Sequence, residues 1–378
     1  MKTNLKTSQE KFNTETDPKL NLIPKNEYRA ILRKHLPDEI FQLDKKHVYL
    51  YLISLTVYLT SMIGILKINF LPLSILLSVI MGIALGSLTF FLHDLFHGSI
   101  IKSKPIEYLF GLSVGILNLF APSFWHKVHD FHHARTGNVD DPDRSYIKAE
   151  SPKNLIEKLV YKLRISDESY HPLASLIFMS TGFFWYFFNT MFYGLVGKKA
   201  SIQEDKKYQR IQDLFKKESD RFFVFFELAV IFAFQAVLFF IVAKSNLITF
   251  SLISLLPVGI AHCIAMSYIH TNHFLSPLTG EIDDPLVNSL SLKNSRFVDT
   301  IFSNFSHHVE HHLFPAMSSS HYPKVRKLLL ELYPERFQLI PMIDAMKMLF
   351  KTPRIYGTYT ELVSSDGTRY VKCLLPSN

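Results

Sequence analysis

The residues in this sequence whose types and spacing are best suited to chemistry are histidines. The chain contains 17 histidines, and eight of them lie in three short clusters. The first cluster is a pair four positions apart, and the other two repeat one spacing, His-x-x-His-His. The clustered residues are His93, His97, His129, His132, His133, His308, His311 and His312. Imidazole nitrogens bind zinc, copper, iron and nickel, so these clusters are candidate metal ligands.

The spacing and number of the histidines indicate a pair of metal ions. Residues three or four positions apart share one face of a helix, so each cluster would project its imidazoles together. Eight imidazoles exceed the coordination sphere of one ion, and a nitrogen-rich set without thiolate leaves positions at iron open to O₂. Three carboxylates inside the clusters, Asp94, Asp130 and Glu310, are candidates to orient the imidazole N–H groups. Only two cysteines, Cys263 and Cys373, are present, which argues against a cysteine-based metal site and a disulfide framework.

Long apolar runs must position these clusters. Of the 378 residues 48% are apolar, 33 of them Phe, and their concentration in runs indicates lipid as the solvent. Each of four runs approaches the roughly 20 residues needed to cross hydrocarbon. These runs are residues 48–66, 70–92, 222–243 and 247–269. Short links join them in pairs, which predicts an all-α integral membrane protein with about four transmembrane helices in two hairpins.

Two further apolar stretches are interpreted as interfacial or re-entrant helices. Residues 108–120 are too few to cross the bilayer. Residues 174–196 are long enough, but a single crossing there would separate the third histidine cluster from the first two. We therefore expect this segment to lie in the interface or to re-enter, and residues 197–221 to be cytoplasmic.

The chain as a whole is expected to divide into three regions. These are a disordered tail (1–22), a membrane domain (23–350) and a C-terminal tail (351–378). Within the membrane domain, residues 23–47 are expected to form a short amphipathic helix that leads to the bilayer. Residues 321–333 and 342–350 have helical periodicity and predict a cytosolic helical cap. The tail alternates around residues 365–367, which predicts a small β-hairpin.

The net charge of +8 is interpreted as membrane topology rather than as a nucleic-acid surface. Basic residues flank the apolar runs and crowd the N-terminal segment, as at Lys25, Arg29 and Lys45. This pattern is typical of cytoplasmic flanks. No cleavable signal peptide is recognised. Both termini and all three clusters are expected on the cytoplasmic side, and a bacterial inner membrane is the favoured location.

The clusters and their flanks resemble the membrane fatty-acid desaturase family. The matching residues are His93 to Ser99, Trp125 with the second cluster, Thr136-Gly137-Asn138, Asp140 to Asp143, and the third cluster with Leu313-Phe314-Pro315. The resemblance covers roughly residues 45–345. It implies a four-helix membrane scaffold with a cytosolic cap and a centre of two Fe ions held almost entirely by histidine. It also implies an O₂-dependent reaction that removes two hydrogens from an acyl chain.

The resemblance further implies specific residues near the end of the last membrane helix. His273 is the expected ninth ligand, with His270 as the second choice and Asn272 as an outer-shell group. No catalytic residue beyond the metal centre is implied. Three other histidines are interpreted as packed, outer-shell or bystander residues: His126, His262 and His307.

The sequence is compatible with several partners and alternative functions. No cytochrome b5 signature is fused to the chain, so electrons are expected from a separate carrier of the ferredoxin or cytochrome b5 type. The fatty-acyl substrate is linked to a lipid, to coenzyme A or to a carrier protein. A lipid hydroxylase of the same superfamily is the nearest alternative. A histidine-rich metal transporter would need ionisable groups inside the spans, where almost none but His262 is recognised, and a metal-storage protein is a further alternative.

Overall fold

The computed structural model describes residues 20–141, 206–243, 246–353, 355–364 and 368–376, together with single residues between 173 and 195. Helices dominate these residues, and four of them are long and apolar enough to cross a membrane. The disordered tail expected at 1–22 and the interfacial segment expected at 174–196 fall almost entirely outside the described residues, so both stay predictions.

The elements of the described residues are numbered in chain order. The helices are α1 (Lys25–Arg33), α2 (His47–Lys67), α3 (Leu71–Phe96), α4 (Lys104–Asn118), α5 (Pro122–Arg135), α6 (Lys206–Leu214), α7 (Glu218–Leu238), α8 (Leu247–Phe250), α9 (Leu256–His273), α10 (Pro285–Asn288), α11 (Arg296–Ile301), α12 (His308–Leu313), α13 (Tyr322–Leu332) and α14 (Met342–Lys351). Short 3₁₀ turns occupy Asp38–Phe41 and Ser319–His321, and π-helical turns occupy Phe239–Ala243 and Ser251–Leu255. The strands are β1 (Ser291–Lys293), β2 (Leu339–Pro341), β3 (Ile355–Tyr356), β4 (Glu361–Val363) and β5 (Tyr370–Lys372).

Two helical hairpins form the membrane part, which confirms the all-α membrane fold. Helices α2 and α3 make the first hairpin, and α7 with the α8–α9 arm makes the second. Helix α3 packs against both α2 and α9, and 61% of its most apolar window is buried. For α7 that share is 17%, because its phenylalanines face outward, as lipid contact requires.

A sharp bend joins α4 and α5. This pair covers the short apolar stretch 108–120, which was expected not to cross the membrane. The two helices meet at 102° and together have the composition of a broken span or a re-entrant loop. Helix α4 ends because Leu119 adopts a left-handed φ of 62°, and Pro122 starts α5. A side chain at Gly115 would stand 2.7 Å from the carbonyl oxygen of Phe120, so this approach requires glycine. The bend turns α5 toward the end of α3.

A buried carboxylate holds α5 to the second hairpin. Glu227, in the middle of α7, has no exposed surface and accepts hydrogen bonds from the backbone N (3.0 Å) and Oγ (2.5 Å) of Ser123. It therefore caps the first turn of α5 from a neighbouring helix. From the sequence, His262 was recognised as an ionisable residue inside the spans, whereas Glu227 was not.

Removing this cap is expected to loosen α5. Glu227→Ala would leave the Ser123 donors without an acceptor in the interior, at a cost of about 1–3 kcal/mol in the free energy of unfolding. Thermal unfolding of the protein in lipid nanodiscs measures the change. Glu218→Ala, at an exposed position that starts the same helix, is the matched control. Equal losses in the two variants would contradict the capping role.

The cap over the end of the bundle that carries the histidine clusters contains α1, α12 and α13. Tyr28 and Leu32 of α1 share a core with Val309 of α12 and with Val325 and Leu329 of α13. Both predicted cap helices, α13 and α14, are present. The N-terminal amphipathic helix is shorter than residues 23–47, because the chain leaves the helix after α1 and makes a 3₁₀ turn after Pro37.

Two small sheets complete the described structure. Strands β3, β4 and β5 are antiparallel, and β4 and β5 flank the turn expected at 365–367, which lies outside the described residues. This sheet lies beside the loop after α9, where Leu278 N donates to the carbonyl of Tyr359 (2.8 Å). The parallel pair β1–β2 was not predicted, because each strand has only three residues and 45 residues separate them.

Candidate metal centre

The structure brings all nine histidines proposed as ligands into two neighbouring groups. Each histidine offers one ring nitrogen, and within a group these nitrogens lie within 4.8 Å of one another. The five-histidine group contains His93, His97, His129, His133 and His311. The four-histidine group contains His132, His273, His308 and His312.

Each His-x-x-His-His cluster is divided between the two groups. From α5, His129 and His133 belong to the five-histidine group and His132 to the other. From α12 the division is reversed. His311 belongs to the five-histidine group, and His308 and His312 belong to the four-histidine group. Positions i and i+4 lie on one stripe of a helix, whereas i+3 lies on the flank of that stripe. The repeated spacing thus lets two short helices serve two sites.

Ring nitrogens from different elements converge within each group. In the five-histidine group, Nε2 of His129 is 3.1 Å from Nε2 of His97, and Nε2 of His311 is 3.0 Å from Nε2 of His133. In the four-histidine group, Nε2 of His308 lies 2.8 Å from Nε2 of His273 and 3.0 Å from Nε2 of His312. These nitrogens cannot all form hydrogen bonds with one another, because a neutral imidazole has only one donor and one acceptor. Their convergence is the geometry expected around a shared cation.

The two groups touch each other. The ring centroids of His133 and His312 are 4.5 Å apart, and those of His311 and His312 are 5.5 Å apart. The arrangement therefore offers two adjacent sites rather than two remote ones. This proximity matches the pair of ions inferred from the number of imidazoles.

Burial keeps the imidazoles in the form that binds metals. Burial first, and then the neighbouring imidazoles, hold the pKa of His311 and of His312 well below the usual range. Both rings are therefore neutral around pH 7, with a lone pair available to a cation. Burial, followed by the charges of Asp94 and Glu310, raises the pKa of Tyr322 well above its usual value, so its hydroxyl keeps its proton.

Several polar groups hold the outward-facing nitrogens of these rings. Asp94 Oδ1 lies 3.2 Å from Nδ1 of its neighbour His93, as expected for an orienting carboxylate. Asp141 does the same for His132 at 2.8 Å, and Tyr322 Oη lies 2.9 Å from Nδ1 of His311. These two roles were not predicted from the sequence. The acidic doublet after the second cluster was a usable signal for Asp141, whereas Tyr322 reaches the site only through the packing of α13.

Two of the proposed orienting carboxylates have other partners. The Glu310 carboxylate has no exposed surface and accepts hydrogen bonds from Ser291 Oγ (2.5 Å) and Arg326 Nε (2.5 Å), so it anchors α12. The Asp130 side chain is 58% exposed and lies 3.5 Å from His126. Both carboxylates thus contact residues outside the two groups, and the orienting role predicted for them stays a prediction.

The residues near the end of α9 differ in their surroundings. Asn272 is fully buried, and neither polar atom of its amide has a hydrogen-bond partner among the described residues. A buried amide of this kind is normally satisfied, so it fits an outer-shell role at an occupied site. His270 is buried outside both groups and stacks on Phe274.

The three histidines interpreted as bystanders lie outside the two groups. His262 is buried within the bundle, with Nε2 3.0 Å from the carbonyl oxygen of Asn118. His126 stacks on Phe96 with the ring planes 5° from parallel. His307 lies 3.1 Å from the hydroxyl of Ser306.

The residues present fit a pair of metal ions. Each group supplies buried or half-buried imidazoles and no thiolate, which suits a transition metal such as iron. Nε2 of His93 is buried without a hydrogen-bond partner among the described residues, and an unsatisfied nitrogen in an apolar interior is costly unless it has a ligand to bind. Five and four imidazoles leave room at each ion for a further small molecule.

An apolar cavity adjoins the five-histidine group. It is lined by Thr89, Phe90, Leu92, His93, Phe120, Trp125, Ala265, Ile269 and Phe305. The ring of Phe305 lies 4.9 Å from that of His93, and Trp125 stacks on His129 at 4.6 Å. The cavity therefore places a small apolar space directly against candidate ligands, between α3, α5 and α9.

Comparisons with known proteins agree with this geometry. A family model described as fatty acid desaturase matches residues 70–343, a range that includes all nine histidines of the two groups. A search of curated proteins found no match.

Proposed function

Because the chain belongs to the fatty acid desaturase family, we propose that it introduces a carbon–carbon double bond into a fatty-acyl chain with O₂ as oxidant. Iron is the proposed metal at both groups, held by His93, His97, His129, His133 and His311 at one and by His132, His273, His308 and His312 at the other. The observation that carries the proposal is the contact between the five-histidine group and the apolar cavity.

The balance of the reaction defines what the protein must supply. Two neighbouring methylene groups lose one hydrogen each, and O₂ is reduced to two waters. The acyl chain provides two of the four electrons, and a separate carrier of the ferredoxin or cytochrome b5 type provides the other two, with two protons from the medium. When bound, the irons supply the reduction of O₂ that makes removal of hydrogen from an unactivated methylene possible.

The protein itself contributes placement and exclusion of water. The cavity side chains would hold the acyl chain so that one pair of methylene carbons lies beside His93, which turns the reaction into a positioned, intramolecular one. The buried imidazoles and the carboxylates behind them keep the ligand set rigid. The aromatic wall of Phe305 and Trp125 keeps bulk water from the reacting carbons.

The first test is a lipid profile. The protein is expressed in a host that supplies a compatible electron carrier, and its fatty acid methyl esters are analysed by gas chromatography–mass spectrometry. We expect a new double-bond isomer that requires O₂. A hydroxy acid would instead identify the hydroxylase branch of the superfamily. No new lipid, with purified protein holding far fewer than two irons per chain, would contradict the oxygenase and favour a metal transporter.

Filling the cavity is expected to stop the reaction without removing the metal. Ala265 lines the cavity and is 3% exposed, so Ala265→Phe would occupy the space proposed for the acyl chain. Overpacking of this kind also costs about 1–3 kcal/mol of stability, which iron content and thermal unfolding would report. We expect near-complete loss of product with the iron content retained.

The matched control for this variant adds the same side chain facing outward. Ala236→Phe, at an exposed position of α7, is expected to leave the product unchanged. Wild-type product formation by Ala265→Phe would show that the acyl chain does not use this cavity.

A further inference from the structure

One segment of the cap connects the protein surface to the five-histidine group. Tyr322 begins α13 and is 2% exposed, and its hydroxyl lies 2.9 Å from Nδ1 of His311. Immediately before it, Ser318 and Ser320 pack against the start of the first span, where both hydroxyls donate to Oδ2 of Asp44 (3.2 and 2.8 Å). Ser320 is exposed to solvent. The segment is therefore a single layer of chain between solvent and a candidate ligand.

A second chain of contacts runs from the same segment to another member of the group. The Ser318 hydroxyl is 3.4 Å from Nε2 of His47. Nδ1 of His47 lies 3.5 Å from Oδ2 of Asp94, whose other oxygen lies 3.2 Å from Nδ1 of His93. Two ligand candidates of one group thus connect to the same surface patch through polar contacts.

Lysines surround the outer end of both connections. Lys45, Lys46 and Lys324 are exposed, and we call them the lysine surface. Burial and the charge of Lys324 lower the pKa of His321, with Asp44 acting in the opposite direction and Lys46 in the same one. These charges therefore lie around one point of the surface. None of the three lysines has an ion pair among the described residues, so their charge is available to a partner.

We propose that a small acidic one-electron carrier protein docks on the lysine surface and that electrons enter the five-histidine group beneath it. The inference rests on the proposed function, which requires two electrons from a carrier for each double bond. Each encounter oxidises one reduced carrier and delivers one electron, so two encounters serve one turnover. Complementary charge accelerates such transient encounters, and redox partners typically form small, weak interfaces.

The test is stopped-flow reduction of the iron-loaded protein in nanodiscs of neutral phosphatidylcholine, without O₂. Reduced [2Fe–2S] ferredoxin is the first probe and the soluble domain of cytochrome b5 the second. We expect the triple variant Lys45→Glu, Lys46→Glu, Lys324→Glu to lower the second-order rate constant at least about tenfold and to weaken its salt dependence. Dithionite, a small reductant, is expected to reduce this variant as fast as the wild type.

A matched triple variant controls for total charge. Lys347→Glu, Lys351→Glu and Lys372→Glu change the net charge equally at exposed positions of α14 and β5, and we expect the carrier to reduce this protein normally. Equal slowing of both triple variants, an unchanged rate in the first, or no reduction of the wild type by either carrier would overturn the proposal. An unchanged rate in the first triple variant is the result expected if these lysines bind only anionic lipid headgroups, which the neutral nanodiscs lack.

The connection beneath the surface has its own variant. His47→Phe breaks the path to Asp94 without altering the lysines, so we expect a lower electron-transfer rate at saturating carrier and an unchanged half-saturating concentration. An unchanged rate would remove this branch of the route. Protein reduced by dithionite and then given O₂ and an acyl substrate tests the proposed function separately, because that experiment needs no carrier.

Discussion

Replacing His311 by alanine is expected to abolish product formation and to lower the iron bound per chain. His311 is the member of the third cluster that joins the five-histidine group, with its ring 4.3 Å from His93 and 4.8 Å from His97. Loss of an orienting partner alone typically costs about 10–100-fold in metal affinity or activity, so we expect loss of a ligand to cost at least about 100-fold. Iron analysis of the purified protein and the lipid profile measure the two effects.

A histidine outside both groups provides the control. His126→Ala removes an imidazole from the same side of α5 that carries Asp130, and it leaves both groups intact. We expect this variant to keep its iron and its product. Full iron content and wild-type product in the His311 variant would show that the five-histidine group does not bind the metal.

Replacing Arg326 by alanine is expected to have the largest effect on stability among substitutions outside the two groups. The guanidinium of Arg326 donates to the Glu310 carboxylate, to the carbonyl of Leu292 (3.1 Å) and to the carbonyl of Ser306 (3.1 Å). Its removal leaves the Glu310 charge, which has no exposed surface, without its cationic partner. Breaking a buried ion pair from one side typically costs about 3–5 kcal/mol.

The same helix supplies the control for this substitution. The adjacent Lys327 is 79% exposed, and its ion pair with Glu331 spans 3.8 Å, so Lys327→Ala is expected to change stability little. Thermal unfolding in nanodiscs compares the two variants, and iron content shows whether the third cluster stays in place. A small effect of Arg326→Ala, equal to that of Lys327→Ala, would mean that other contacts anchor α12.

Much of the architecture follows from local sequence patterns. The four spans could be predicted because crossing hydrocarbon requires about 20 apolar residues, a signal that needs no knowledge of packing. The π-helical turn between α8 and α9 and the bend between α4 and α5 could not be predicted, because they depend on which backbone contacts neighbouring helices permit. Glu227 is an example of the same limit, since its capping of Ser123 joins residues 104 positions apart.

Eight of the nine candidate ligands could be predicted from the sequence itself, because spacing along a helix decides which side chains share a face, whereas His273 was implied by the family resemblance. The division of each cluster between two groups was decided only by the tertiary structure, which sets the distances between α3, α5, α9 and α12. The same holds for the groups behind the ligands. Asp141 and Tyr322 meet imidazoles, whereas Glu310 meets Arg326 and Ser291, because a carboxylate's partner depends on the element packed opposite it.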